Sequence, residues 1–265
     1  MGLVEQIPAA TTIDLVSRNQ NIRLDHVGFT GGALEAMRAE WQSLGFCPTE
    51  PEELRAVDRD GTSKSLGQRS CHIVLQQGYI ELTEIVSPSP QHHLAPWLAN
   101  GAGLQILAFG VDDIASWHAI RGGASFSPVM TAARHIAYGD RHGEARFLWC
   151  MREPRETPWA LECVVEHLTP ELVHQGAVER HPNGACALVG VTLQCPEPDV
   201  AARQFASLYG FGPSSIRCAV GMVARCTVVE IAVADRAAWQ RRTGAVTTEI
   251  ALATAPGCRL RLVQG

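Results

Sequence analysis

One pattern recurs along this chain: a strand, a helix, then strands. A repeat constrains the fold more than any single motif does, because each copy must bury its apolar face against a neighbour. The first copy opens with the alternating run Leu24-Asp25-His26-Val27-Gly28-Phe29. It passes through Gly31-Gly32 into the helical run Leu34-Glu35-Ala36-Met37-Arg38-Ala39-Glu40-Trp41, which stops at Gly45. A polar stretch from Pro48 to Arg69 follows. Two strand-like runs, Cys71 to Leu75 and Tyr79 to Val86, then flank Gln76-Gln77-Gly78 as a hairpin would. The second copy has a strand from Gln105 to Val111 and a helix start at Asp112-Asp113 with a stop near Gly122-Gly123. Its later strands lie around Arg134 to Tyr138, Ala145 to Met151 and Ala160 to Val165. The third runs from strand Leu188 to Gln194 through helix Val200 to Tyr209 into strands near Val223 to Val233, Thr248 to Ala253 and Arg259 to Val263. The boundaries that follow are an N-terminal extension 1–21 and modules at 22–88, 102–170 and 184–265, the last one degenerate. Ser87-Pro88-Ser89-Pro90 and His181-Pro182-Asn183-Gly184 serve as linkers.

Length and charge narrow the partners. At 265 residues the chain can bury a sizeable core without disulfides or structural metals, and 46% hydrophobic with 18% charged residues is a globular balance. A formal net charge of -5 without any Lys/Arg block argues against nucleic acid as the main partner. The nine Cys show no C-x-x-C pairing, and Cys150, Cys163 and Cys195 sit in apolar runs as core thiols, which suits a reducing cytoplasm. Residues Met1 to Gln20 lack the basic and apolar regions of a leader, and no apolar run is long enough to span a membrane. The expectation is a cytoplasmic protein without membrane or nucleic-acid partners that binds a small molecule.

Strand alternation selects the candidate chemistry. In Tyr79-Ile80-Glu81-Leu82-Thr83, packing of Ile80 and Leu82 turns Glu81 to the other face together with Tyr79 and Thr83. In the first strand Val27 and Phe29 take the packed face and His26 the open one. In Ala160-Leu161-Glu162-Cys163-Val164-Val165, the same reading packs Leu161, Cys163 and Val165 and frees Glu162. His72 and Trp149 are placed with Tyr79 as pocket residues. A histidine tied to a carboxylate and carboxylates in salt bridges are the structural alternatives, while His92-His93 reads as a solvated loop pair.

Leu24-Asp25-His26-Val27 followed by Tyr79-Ile80-Glu81-Leu82, then Ala160-Leu161-Glu162, resembles the vicinal oxygen chelate superfamily of glyoxalases, bleomycin-resistance proteins and extradiol dioxygenases. The segment from His181-Pro182-Asn183-Gly184-Ala185 resembles its glyoxalase-like domain group. The resemblance implies an α+β fold of tandem βαβββ modules in a cupped, half-open mixed sheet with helices outside. It also implies a divalent metal (Zn, Fe, Mn, Ni or Co) on His26, Glu81 and Glu162, with Glu81 or Glu162 moving a proton. Ile106 stands where a fourth ligand belongs, and the third module offers Gly190 and Arg261. Two functions remain open: a metal-dependent isomerase, lyase or dioxygenase acting on a small oxygenated molecule, or a metal-free sequestering protein of the bleomycin-resistance type. An odd number of modules further predicts a homodimer that completes the sheet.

Overall fold

The computed structural model describes residues 22–58, 60–210, 215–243 and 248–265; the expected extension 1–21 and the leader reading lie outside the described residues. Strand β1 (Arg23–Thr30) buries Val27 and Phe29 against Leu34, Met37 and Trp41 of helix α1 (Leu34–Ser43). These three lie at i, i+3 and i+7, the spacing of one helix face. The polar stretch before Arg69 is a hairpin of β2 (Glu52–Val57) and the long β3 (Ser63–Val74). Its alternation is not apolar because Ser63, Lys64 and Ser65 are exposed and no residue of β2 is fully buried. A tight turn leads to β4 (Tyr79–Ile85), and Gly78 is required there twice over: its φ is +75°, and a Cβ would stand 2.7 Å from the Asp25 carbonyl oxygen.

The second copy follows the short helix α2 (Ala95–Leu98) and begins with β5 (Gly103–Gly110). Asp113 caps α3 (Ile114–Trp117), accepting the Ser116 N–H at 2.9 Å. Strands β6 (Met130–Ile136), β7 (Gly143–Met151) and β8 (Leu161–His167) complete it. The two copies join at both ends. β1 pairs antiparallel with β5, and β2 pairs with β6 through Leu54, Arg55 and Ala56. The strand order β1-β4-β3-β2-β6-β7-β8-β5 therefore returns to β1, so the mixed sheet is closed into a ring of eight strands with helices outside it.

After helix α4 (Pro170–Val173) the pattern changes. Strand β9 (Ala185–Cys195), helix α5 (Pro198–Tyr209) and β10 (Ile216–Val220) form one parallel pair with a helical crossover. Strand β11 (Arg225–Val233), helix α6 (Arg236–Thr243), β12 (Glu249–Ala251) and β13 (Arg259–Gln264) form a second, β11 lying parallel to β13. Helix α6 stands where a βαβββ copy would have only strands, and the order is β10-β9-β11-β13-β12. This segment meets the ring at Cys226 opposite Leu104 and packs α5 on its outside, with Tyr209 stacked on Phe109 at 4.1 Å. The main core thus lies between the ring and its helices, which leaves the inner face of the ring for other uses. No helix among the described residues is long and apolar enough to cross a membrane.

Candidate functional site

The inner face of the ring is a cup with two unlike walls. His26, Ser70, His72, Tyr79, Glu81 and Arg134 form the polar wall; Ile106, Phe147, Trp149, Leu161, Cys163 and Val165 form the apolar one. They enclose a cavity of ≈ 90 Å³. A water needs about 10–15 Å³ of such space, so there is room for a guest of several heavy atoms. His26, Glu81, His72, Tyr79 and Trp149 all meet here, as their strand alternation requires.

β1 lies next to β4, with His26 opposite Tyr79 and Gly28 opposite Glu81. The Glu81 carboxylate is held from one side: the Ser70 and Thr83 hydroxyls donate to Oε1 at 2.6 and 2.8 Å. Its Oε2 faces His26 Nε2 at 3.8 Å, beyond hydrogen-bond length. The His26 ring stacks on Tyr79 at 4.3 Å and donates from Nδ1 to Asp25 Oδ2 at 2.8 Å. Neighbouring residues of a regular strand point to opposite faces. Here the β1–β5 register shifts between Leu24 and His26, and such a bulge re-aims the Asp25 side chain. His167, at the end of β8, donates to the same Asp25 oxygen at 3.0 Å. Burial would raise the Asp25 carboxyl, but the charge and hydrogen bond of His167 and those of His26 hold it well below the ordinary carboxylate range. Asp25 therefore fixes the proton of His26 on Nδ1 and turns Nε2 to the cup.

A second polar cluster comes from β3 and β6. The Arg134 Nη1 donates to His72 Nε2, so that nitrogen is an acceptor and the ring is neutral. Burial, with the charges of Arg134 and His26, keeps His72 well below its ordinary pKa. The Arg134 guanidinium lies 5.6 Å from the Tyr79 ring centre and 5.5 Å from that of Phe147. Burial and the neighbouring His92 push His93, which lines the cup beside Trp149, down to about 4. The pair His92-His93 is thus not a solvated loop: His92 is itself buried. Sequence reasoning missed Asp25, Arg134 and His167. The available signal for Arg134 was one cation at alternating spacing between Ala132 and Ile136.

Glu162 does not belong to the cup. In β8 the cup residues are Leu161, Cys163 and Val165, while Glu162 sits on the helix side with 0% exposure. There it accepts from Arg152 Nη1 at 3.1 Å, Trp159 Nε1 at 2.8 Å and the Tyr209 hydroxyl at 2.8 Å. Burial pushes its carboxyl up against the pull of these donors. The expectation aligned β8 with β4 one residue out of step, and in a strand a one-residue slip exchanges the faces. Gly28 pairs with Glu81 in one half and Ala108 with Cys163 in the other, so the counterpart of Glu81 is Cys163.

This placement decides how the residues fit a metal. His26 Nε2 and Glu81 Oε2 could both face one ion, but the other half of the ring supplies Ile106 and a thiol, Cys163, that burial holds well above its ordinary pKa. His72 Nε2 is engaged by Arg134. Catalytic metal sites generally take three protein ligands. No group of three or more His, Cys, Asp or Glu among the described residues is placed to hold an ion. The residues present do not fit the three-ligand centre expected from the sequence.

A family model described as a glyoxalase-like domain matches residues 24–209, which span the whole ring together with β9 and α5. None of the curated proteins matches. Among solved structures, a hypothetical protein from Staphylococcus aureus is similar with a TM-score of 0.63 at 9% identity, covering 92% of this chain and 100% of its own. A variant of homoprotocatechuate 2,3-dioxygenase from B. fuscum gives 0.53 at 12% identity, over 92% of this chain and 71% of that one. The Mn(II)-bound glyoxalase from Novosphingobium aromaticivorans gives 0.52 at 11% identity, over 90% and 81%. Likeness at this identity establishes the shared fold.

Proposed function

This chain belongs to the glyoxalase-like domain family, and from that premise we propose that it moves a proton on a small oxygenated organic molecule held in the ring. One observation carries the reading. Glu81 is fixed by two hydroxyls on Oε1 and keeps Oε2 open toward His26 Nε2, 3.8 Å away. A carboxylate oriented in this way can take a proton from a carbon next to a carbonyl, and the imidazole across from it, with its proton on Nδ1, offers Nε2 as the acceptor for a substrate hydroxyl. Asp25 sets the ring orientation this needs. The apolar wall of Ile106, Leu161 and Val165 limits the water that would compete for the proton. Ile106 and Cys163, in place of ligands, favour chemistry that runs on side chains, so no step is assigned to a metal.

The test is proton exchange followed by NMR in D₂O, with small dicarbonyl and hydroxycarbonyl compounds as probes. Wild type should exchange the proton next to the carbonyl, and Glu81→Gln should slow this by roughly 10²- to 10⁴-fold while the compound still binds. Equal exchange in Glu81→Gln removes the base. Tight binding with no exchange in wild type would make the protein a sequestering one, of the bleomycin-resistance kind.

A further inference from the structure

Arg134 is 4% exposed, and the Nε and Nη2 of its guanidinium are buried without a hydrogen-bond partner. Buried polar groups nearly always have partners, and an unpaired buried charge is among the costliest features a fold can carry. These two nitrogens share one edge of the planar group. They form the fork whose two N–H bonds match the two oxygens of a carboxylate. The third nitrogen, Nη1, is already spent on His72, which fixes the direction of the fork. Among the described residues no carboxylate lies within ion-pair distance of Arg134. Glu52 also lines the cup, with its Oε2 unpartnered and its Oε1 accepting from the Ala137 N–H at 2.9 Å. Burial raises the Glu52 carboxyl against the pull of the Ala137 N–H and of the Arg134 charge, so the two groups feel each other across the cup without a direct bond to the fork.

We propose that Arg134 is the seat of a substrate carboxylate, so that the cup takes small organic acids and holds them by the Nε/Nη2 fork. This rests on the reading of the cup as a small-molecule site and gives that site its substrate class. The geometry agrees with the chemistry. His72 on β3, on which Arg134 leans from β6, is the cross-strand partner of Glu81 on β4, so the fork and the base reach the same cup with His72 between them. A carboxylate on the fork would leave C3 of a 2-oxo acid, the carbon next to its carbonyl and the one that carries exchangeable protons, to reach toward Glu81. The cavity of ≈ 90 Å³ admits an acid of that size. Low local dielectric strengthens both charge-assisted bonds, and a neutral guest would leave the fork unpaired.

The experiment compares affinities by calorimetry for pyruvate and lactate against methyl pyruvate and lactamide. The acids should bind wild type at least roughly a hundredfold more tightly, the value of two charge-assisted hydrogen bonds. Arg134→Met should erase that preference, and Arg134→Lys, a point charge without a fork, should recover only part of it. Glu81→Gln should keep the preference even though exchange is lost, which separates this inference from the proton-transfer reading. Equal affinity of acid and neutral compound for wild type overturns the proposal without requiring any variant to fold. Retained acid preference in Arg134→Met overturns it as well. Absence of binding by either class would overturn both readings.

Discussion

Glu81→Gln and Glu162→Gln make the same chemical change in two strands that sequence alignment treats as equivalent, and the structure gives them opposite consequences. Glu162 accepts three hydrogen bonds while fully buried. A glutamine keeps one acceptor oxygen. If that oxygen serves Arg152 and Tyr209, the new NH₂ meets the Trp159 N–H donor head on; if it serves Trp159, the NH₂ faces the Arg152 guanidinium. Arg152, with its side chain 5% exposed, keeps only Glu156 at 3.3 Å as a counter-ion. Breaking one side of a buried pair costs about 3–5 kcal/mol. That is a large share of an ordinary stability of roughly 5–15 kcal/mol, and at about 2–4 °C per kcal/mol for a chain near this size it lowers Tm by roughly 6–20 °C. Thermal unfolding followed by circular dichroism reads this directly. Glu162→Gln should unfold early yet bind cup ligands as wild type does below its transition. A Tm within 2 °C of wild type, or lost ligand affinity at unchanged Tm, would refute the structural role and return Glu162 to the site.

Two further outcomes follow from the same wall. His93 is held neutral, down from an ordinary 6.5 to about 4, so the unfolded chain takes up its proton first as pH falls. The associated stability is complete above pH 6.5 and is lost on the way down to pH 4, about 3 kcal/mol at 1.36 kcal/mol per unit. His72, depressed in the same direction, adds to the loss. Asp25 is depressed too, but its contribution disappears only below its ordinary 3.8, outside this window. Urea midpoints at pH 7.5, 6 and 4.5 should fall progressively and fall less in His93→Gln; a flat profile would contradict the burial of these rings. Elemental analysis of protein purified without chelator should find well under one equivalent of divalent metal, because among the described residues no third donor joins His26 and Glu81 at a common place. A stoichiometric ion lost in the His26→Ala, Glu81→Ala double variant would refute the two-donor reading.

Legibility in the sequence tracks how unlike the two faces of a strand are. In β1 and β4 the helix side is Val27, Phe29, Ile80 and Leu82 while the cup side is His26, Tyr79 and Glu81, so alternation alone placed the site residues. In β8 both faces are buried and nearly all apolar, and Leu161-Glu162-Cys163-Val164-Val165 carries no in-or-out signal to correct a slipped register. The β2–β3 hairpin was hidden for the opposite reason, since its exposed face is polar and its inner face carries Ser70 and His72. Asp25 could not be placed by alternation at all, because a bulge moves it.

The two halves of the ring share geometry without sharing chemistry. At the junction of β1 and β5, Gly28 lies opposite Ile106, and a Cβ on Gly28 would approach the Ile106 Cδ1 to 2.5 Å. The isoleucine fills the space above the glycine, where a second ligand would have to reach inward. Any side chain at this position has to share that close approach to Gly28, and Ile106 lines the cup there as part of its floor. The first copy supplies Glu81, His26 and the hydroxyls of Ser70 and Thr83; the second supplies the apolar wall and the Arg134 guanidinium. A repeat permits this division because strand pairing depends on backbone and on the packed face, while the inner face is free to differ between copies. Matching residues between copies can therefore locate an inner position, as it did for Ile106, without saying which chemistry occupies it.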